Sequence, residues 1–341
     1  MKINTNQDYN DLYKKIHISV TDKFNQPQEL LLIDEAVIFT IGNISVSTGK
    51  AKSKKTFNLS AIVAAVIRGG TVLKYSAGSL GKQKVLYVDT EQSFYHCSLV
   101  LQRIIRLSDR DLTVDTDDIV FLALREYDPL QRRFIIEESL KRIKGIGLLV
   151  IDGIRDLMYD INDAKESLEL VNMLMKWSTI YSLHIHTVLH LNKNDDQLRG
   201  HVGTELCNKA ESILHIVKDN KDNDMSMVRP MYVRGKEFSI FSFKINDCGL
   251  PELVNCEINY YAKQKMKFTN LTRDEHVKAL KSSFNSDVVK GYSNAIERIK
   301  IGYQSIGFIR GRNVIVNLCK YLINEQILIK TKEGYKLNDD S

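Results

Sequence analysis

The sequence predicts an α/β fold, a mostly parallel, doubly wound sheet flanked by helices, followed by a small separate C-terminal domain. Three observations predict it. Short apolar runs at 84–89, 119–124 and 146–152 alternate with stretches of helical periodicity, as expected for strands buried on both faces by helices. Polar residues cluster where these runs end, notably Asp89, Glu91 and Asp152, and ligands of such sheets bind at the carboxyl ends of strands. Charge is uneven: residues 262–341 carry 15 Lys and Arg against 8 Asp and Glu, whereas the preceding 261 balance at 33 against 34. A basic excess confined to one module suggests an acidic partner such as nucleic acid.

The chain has 341 residues, 43% of them hydrophobic and 26% charged, with net charge +6. That is the composition of an ordinary globular protein with room for one large core and a smaller domain. Its five cysteines are scattered with no C-x-x-C pair, which argues for a reducing compartment and against a disulfide framework or structural zinc. The polar start lacks a signal-peptide core, and no run reaches the roughly 18–20 apolar residues of a membrane span. A cytoplasmic location with no membrane partner is the expectation.

Residues 1–27 read as a polar arm, and residues 28–260 as the core. Strands are predicted at 37–41 and 44–47, broken at Gly42 and Asn43. A helix follows at 57–68, with Leu59, Ile62, Val63 and Val66 at helical spacing and Gly69 and Gly70 as its stop. A loop or short hairpin occupies 71–81. The strand 84–89 leads to a helix at 93–107, the strand 119–124 to a helix opened by Asp128 and Pro129. The strand 146–152 leads to a helix that Asp163 and Glu166 would open as a capping box. Then come a strand at 184–191, a polar loop at 192–203, a short helix at 204–210, a strand at 213–217, and two alternating edge strands at 227–233 and 238–245. A lysine-rich linker spans 261–272. Beyond it, helices at 274–284, 288–301 and 312–324 and a glycine-turned hairpin at 327–337 follow the order of a winged helix, residues 273–341. The last helix shows Val314, Ile315, Leu318 and Leu322 on one face, and Asn313, Asn317, Lys320 and Asn324 on another.

Between the strand 44–47 and the helix 57–68 lie Gly49, Lys50, Ala51, Lys52, Ser53, Lys54, Lys55 and Thr56, leading into Phe57. This is the spacing of a phosphate-binding P-loop, G-x-x-x-x-G-K-[ST], except that Lys54 stands where the second glycine is expected. With that residue the loop either takes a different path or binds nucleotide less well. Lys55 would reach the outer phosphates, and the Thr56 hydroxyl the magnesium ion. Asp152 is placed to hold the magnesium shell, and Glu91 to polarise the attacking water. The ordinary readings are a basic turn, an Asp closing a strand and an acidic helix start; the joint occurrence favours a nucleotide site. His184, His186 and His190 alternate along one strand without a cysteine or carboxylate to complete a metal set.

Residues 49–56, 85–91, 148–152 and 190–204 together resemble the RecA-like ATPases. The closest likeness is to small RepA-type hexameric plasmid helicases and the AAA_25 group, and residues 47–57 and 198–205 are similar to ATPases of Bacteroides-type mobile elements. The resemblance covers residues 36–250. It implies ATP and Mg²⁺ as cofactors, Lys55, Thr56, Glu91 and Asp152 in the roles above, and His190 or Asn192 as γ-phosphate sensor. It implies a homo-oligomeric ring such as a hexamer, whose arginine finger would come from Lys218, Arg229 or Arg234 of a neighbouring copy. Its channel loop would bring Lys193, Arg199 or His201 to single-stranded DNA. For duplex DNA the C-terminal candidates are Arg310, Arg312, Asn313, Asn317 and Lys320. The expected function is a DNA-linked ATPase, a helicase or loader in replication or mobilisation of a mobile element; the alternative is an ATP-gated DNA-binding regulator with little turnover.

Overall fold

The computed structural model describes residues 6–78, 84–192, 197–219, 222–254, 268–284, 288–306, 308 and 311–338. The chain divides into two compact units, Met1–Cys256 and Glu257–Ser341.

The first unit opens with α1 (Asn6–Ile16), inside what reads from sequence as a featureless polar arm. Its Tyr9, Tyr13 and Ile16 recur at helical spacing and stay exposed. A small sheet of β1 (Glu29–Ile33), β2 (Ala36–Thr40), β4 (Thr71–Val72) and β5 (Tyr75–Ala77) runs in the order β2-β1-β5-β4. The predicted break at Gly42 and Asn43 is where the chain leaves this sheet for β3 (Ile44–Gly49) in the large one.

The large sheet adds β6 (Lys84–Asp89), β7 (Ile119–Ala123), β8 (Ile146–Asp152), β9 (His184–His190), β10 (Ser212–Lys218), β11 (Met225–Val233), β12 (Phe241–Ile245) and β13 (Pro251–Val254). Its order is β13-β12-β11-β10-β3-β9-β8-β6-β7. The strands from β10 to β7 are parallel, and β11 to β13 extend the β10 side antiparallel. Helices α2 (Lys55–Arg68), α3 (Phe94–Leu107), α4 (Pro129–Arg142), α5 (Ala164–Ile180) and α6 (Gly200–Lys209) connect the strands. One core joins the small sheet, α2 and one face of the large sheet, and a second lies on the other face with α5 and α6. Helix α2 is buried all round because Ala61, Ala64 and Ala65 oppose Leu59, Ile62 and Val63, so it fits between two sheets.

Local chemistry explains most boundaries. Gly69 ends α2 at φ 66, a left-handed cap that suits glycine. Asp128 and Gln131 form the full capping box of α4. At α5 only half of the expected box forms. Asp163 accepts the Glu166 N–H, but the Glu166 carboxylate turns to the N–H groups of Tyr159 and Asp160 and to Arg133. The loop expected at 192–203 is shorter than its polarity suggests, because α6 already begins at Gly200. Gly200 takes φ 75, and a Cβ on Gly203 would meet Leu198 at 2.6 Å.

Strands β3 and β9 are locked by a buried chain of polar groups. His184 Nδ1 lies 2.8 Å from the Thr40 carbonyl, so that nitrogen carries the proton. The chain then has one direction: Ser47 donates to His186 Nε2 (2.8 Å), His186 Nδ1 to Ser45 Oγ (2.6 Å), and Ser45 to His184 Nε2 (2.6 Å). Phe39 stacks on the His184 ring and lies tilted against that of His186. Among the described residues no cluster of three metal-ligating side chains forms.

Burial holds both imidazoles neutral, pushing His184 down to about 3 and His186 well below its ordinary value. The unfolded chain would protonate them near pH 6.5 and the folded chain would not. Their stabilising share is therefore complete above about pH 6.5 and is lost as pH falls below it. A His186→Gln variant should be less stable than wild type at pH 7.5. That gap should shrink by about 1 kcal/mol between pH 6.5 and 5.5, read as urea midpoints. A gap independent of pH contradicts the neutral buried pair.

The second unit contains α7 (Arg273–Phe284), α8 (Tyr292–Ser305), α9 (Arg312–Asn324) and a hairpin of β14 (Leu328–Lys330) and β15 (Tyr335–Leu337). The helix predicted from 288 starts only after Gly291, at φ 86, because Val289 pairs with Tyr335 beside the hairpin. Ile315, Leu318, Cys319 and Leu322 face its core with Ile296, Ile299 and Tyr303. Val314, predicted to join them, is 36% exposed, since it lies a third of a turn off the stripe set by Ile315 and Leu322. Of the predicted linker, residues 261–267 lie outside the described residues, while Phe268 and Leu271 pack into this core rather than span freely.

Candidate functional site

The site forms at the carboxyl ends of β3, β6, β8 and β9. Residues 49–56 leave β3 and enter α2 directly. Gly49 is required there, since a Cβ would stand 2.3 Å from the Ile216 carbonyl oxygen and 2.6 Å from Ser53 Oγ. Lys54, the residue in the glycine position, caps α2 with φ 64 and ψ 31. It holds the left-handed conformation that glycine takes freely and a lysine adopts at a cost of about 1–2 kcal/mol. Lys52 is left-handed too, at φ 63.

Lys55 is buried, and its ammonium donates to the carbonyls of Gly49 (3.1 Å) and Lys50 (2.9 Å) and to His190 Nδ1 (3.2 Å). His190 is thus neutral and bears its proton on Nε2; burial and the Lys55 charge both lower its basicity. It reaches this place because β9 pairs in register with β3, His190 opposite Gly49. Burial pushes Lys55 down to about 8, against the pull of Asp152 and Glu91.

Asp152 ends β8 opposite Asp89 of β6. Its Oδ2 accepts from the Tyr87 hydroxyl (3.0 Å) and from Thr56 Oγ1 (3.3 Å). Burial, then the neighbouring charges of Asp89 and Glu91, raise this carboxyl to about 7. Such a site of crowded negative charge gains from a hard cation, and a hydroxyl beside a carboxylate is a fitting oxygen pair for Mg²⁺, which takes its other ligands from phosphate and water. Thr56 and Asp152 are the residues that would hold it.

Glu91 follows β6 on a turn built by Asp89. The Asp89 carboxylate accepts the N–H groups of Glu91 (2.9 Å) and Gln92 (2.7 Å) and the Gln92 side-chain amide (2.6 Å). Gly153, at φ 108, leaves room for Glu91, whose carboxylate would otherwise lie 3.3 Å from a Cβ. Burial and the charges of Asp156 and Asp89 raise the Glu91 carboxyl above its ordinary value.

These groups share a cleft of about 430 Å³ lined by residues 52–57, Glu91, Gln92, Asp152 and His190, and extended between α2 and α3 by His96, Leu99 and Arg103. Arg103 stacks 3.8 Å from the Phe57 ring centroid. The structure therefore brings together Lys52, Ser53, Lys54, Lys55, Thr56, Phe57, Glu91, Asp152 and His190. Lys50 and Ala51 are exposed at the loop tip, and Asn192 pairs its N–H with the Gln197 carbonyl, outside the cleft lining.

Arg199 and His201 are exposed at the start of α6, whereas Lys193 lies outside the described residues. On α9, Arg312, Asn313, Asn317 and Lys320 are exposed along one side; Arg310 lies outside the described residues. Of the arginine-finger candidates, Arg229 donates to His215 Nδ1 of its own chain (2.8 Å) and Arg234 reaches the Lys209 carbonyl (3.5 Å). Tyr87, His96, Leu99 and Arg103 carry no local signal in the sequence, and Asp89 is noted there only as a strand end, without a role. Asp89 alone had a local signal, an Asp two residues before the N–H that it accepts.

A family model described as an AAA domain, AAA_25, matches residues 22–196, just over half of the chain. No curated protein matches the chain.

Proposed function

The chain belongs to the AAA_25 family of RecA-like P-loop ATPases, and from that premise we propose that it hydrolyses ATP to act on DNA, as a RepA-like helicase or loader of a mobile element. The observation that carries the ATPase reading is the convergence of Lys55, Asp152 and Glu91 on one cleft at the N-terminus of α2. The polyphosphate lies on the loop N–H groups and the helix terminus, where anions are favoured. Lys55 exchanges the carbonyls of Gly49 and Lys50 for phosphate oxygens. Thr56 and Asp152 would hold Mg²⁺, which would screen the phosphate charge. Glu91 takes the proton of the water that attacks the γ-phosphate, and Asp89 keeps it aimed. The groove of Phe57, His96, Leu99 and Arg103 receives the base.

The DNA reading is supported by the basic excess of the C-terminal unit and by the exposed row on α9. Three helices and a hairpin follow one another there, the order expected of a winged helix. Asn and Lys or Arg suit base edges and phosphates. In an assembled ring, Arg199 and His201 would line the channel and an arginine from a neighbouring copy would complete the site.

The test is ATP turnover with and without single-stranded DNA, beside duplex binding by an Arg312→Glu, Lys320→Glu variant. DNA should raise turnover, and the variant should bind duplex more weakly, with a salt slope smaller by about 2. ATP binding without turnover in any condition would identify the regulator instead, and unchanged duplex binding would remove α9 from the interface.

A further inference from the structure

The ammonium of Lys54 has an unusual situation. The residue sits in the phosphate loop itself, immediately before Lys55, and its side chain lines the cleft while being only 16% exposed. Its Nζ meets Asp224 at 3.4 Å and lies 5.9 Å from the Phe57 ring centroid. Asp224 is 63% exposed and the contact is long, so this ion pair is worth little. A polyphosphate at the N-terminus of α2 would offer more charge, in a less hydrated place, beside the Lys54 backbone. The flexible four-carbon stem lets the ammonium reach either partner.

We propose that Lys54 is a phosphate ligand: a bound polyphosphate takes its ammonium from Asp224, so that the loop supplies two lysines, Lys54 and Lys55, from one chain. The residue that departs from the P-loop pattern then adds to binding what its left-handed backbone costs in stability. This inference rests on the nucleotide reading above and deepens it.

The experiment measures Mg-ATP affinity and melting temperature for the wild type and for Lys54→Gly, Lys54→Met and Asp224→Asn. Lys54→Gly should melt about 2 °C or more higher, because glycine relieves the left-handed strain. Its affinity for ATP should nevertheless fall about tenfold or more, the loss of one charge-assisted contact. Lys54→Met should lose the same affinity without the gain in melting temperature, and Asp224→Asn should bind ATP more tightly. Lys54→Gly binding ATP as tightly as wild type, or more tightly, overturns the role of Lys54 while leaving the nucleotide site intact. No ATP binding by the wild type would overturn the nucleotide reading, and this inference with it.

Discussion

Replacing Glu91 by glutamine should lower ATP turnover by about a hundredfold or more, the usual share of a positioned general base, with ATP affinity within about threefold of wild type. Glutamine keeps the size of the side chain and fits over Gly153, where only 3.2–3.3 Å separates the Glu91 side chain from an added Cβ. The turn is held by Asp89 through backbone N–H groups, so its path does not need the Glu91 carboxylate. What disappears is the proton acceptor. Burial and the charges of Asp156 and Asp89 raise the Glu91 carboxyl, which brings a base closer to neutral pH. The sign follows: as pH falls through that raised value Glu91 takes up a proton and turnover drops. The acid limb of the rate should lie above the ordinary carboxylate value of about 4.3. A variant with unchanged turnover would exclude Glu91 as the base.

Replacing Lys55 by alanine should weaken ATP binding by about a hundredfold or more, since an ammonium with three donors makes several charge-assisted contacts to phosphate. Part of this loss is specific to the loop. Lys55 ties the carbonyls of Gly49 and Lys50 together and reaches His190, so its removal also loosens the cradle. Lys55→Met separates the two effects only in part, because it fills the space without donating. Equilibrium binding of a fluorescent ATP analogue reads both variants. Affinity within threefold of wild type would move the phosphates away from Lys55.

Much of the fold was legible because buried parallel strands must be apolar throughout, as at 146–152, and because glycine and Asp or Ser mark helix ends. The misreadings have local causes. Helix α1 lies where polar residues outnumber the apolar ones, so composition hides the stripe of Tyr9, Tyr13 and Ile16. The start of α8 lies later than periodicity suggests because Val288 and Val289 look helical next to Ile296, although Val289 forms an isolated bridge with Tyr335. At the site, spacing revealed the residues carried by one stretch, from Gly49 to Thr56, and those that end strands, Glu91 and Asp152. It did not reveal Tyr87 under Asp152, or Arg103 on Phe57, because those contacts join elements far apart in sequence. Nor did it show what Lys54 does to the loop. That required a backbone angle, since lysine was compatible with either a rerouted turn or a strained copy of the glycine one.

The most direct test is a crystal structure with a non-hydrolysable ATP analogue and Mg²⁺. It should show the polyphosphate at the N-terminus of α2, contacted by Lys55, with the metal at Thr56 and Asp152 and the terminal phosphate facing Glu91. Analogue bound elsewhere, or Lys55 still donating to the carbonyls of Gly49 and Lys50 with no phosphate on the loop at saturating concentration, would contradict the assignment.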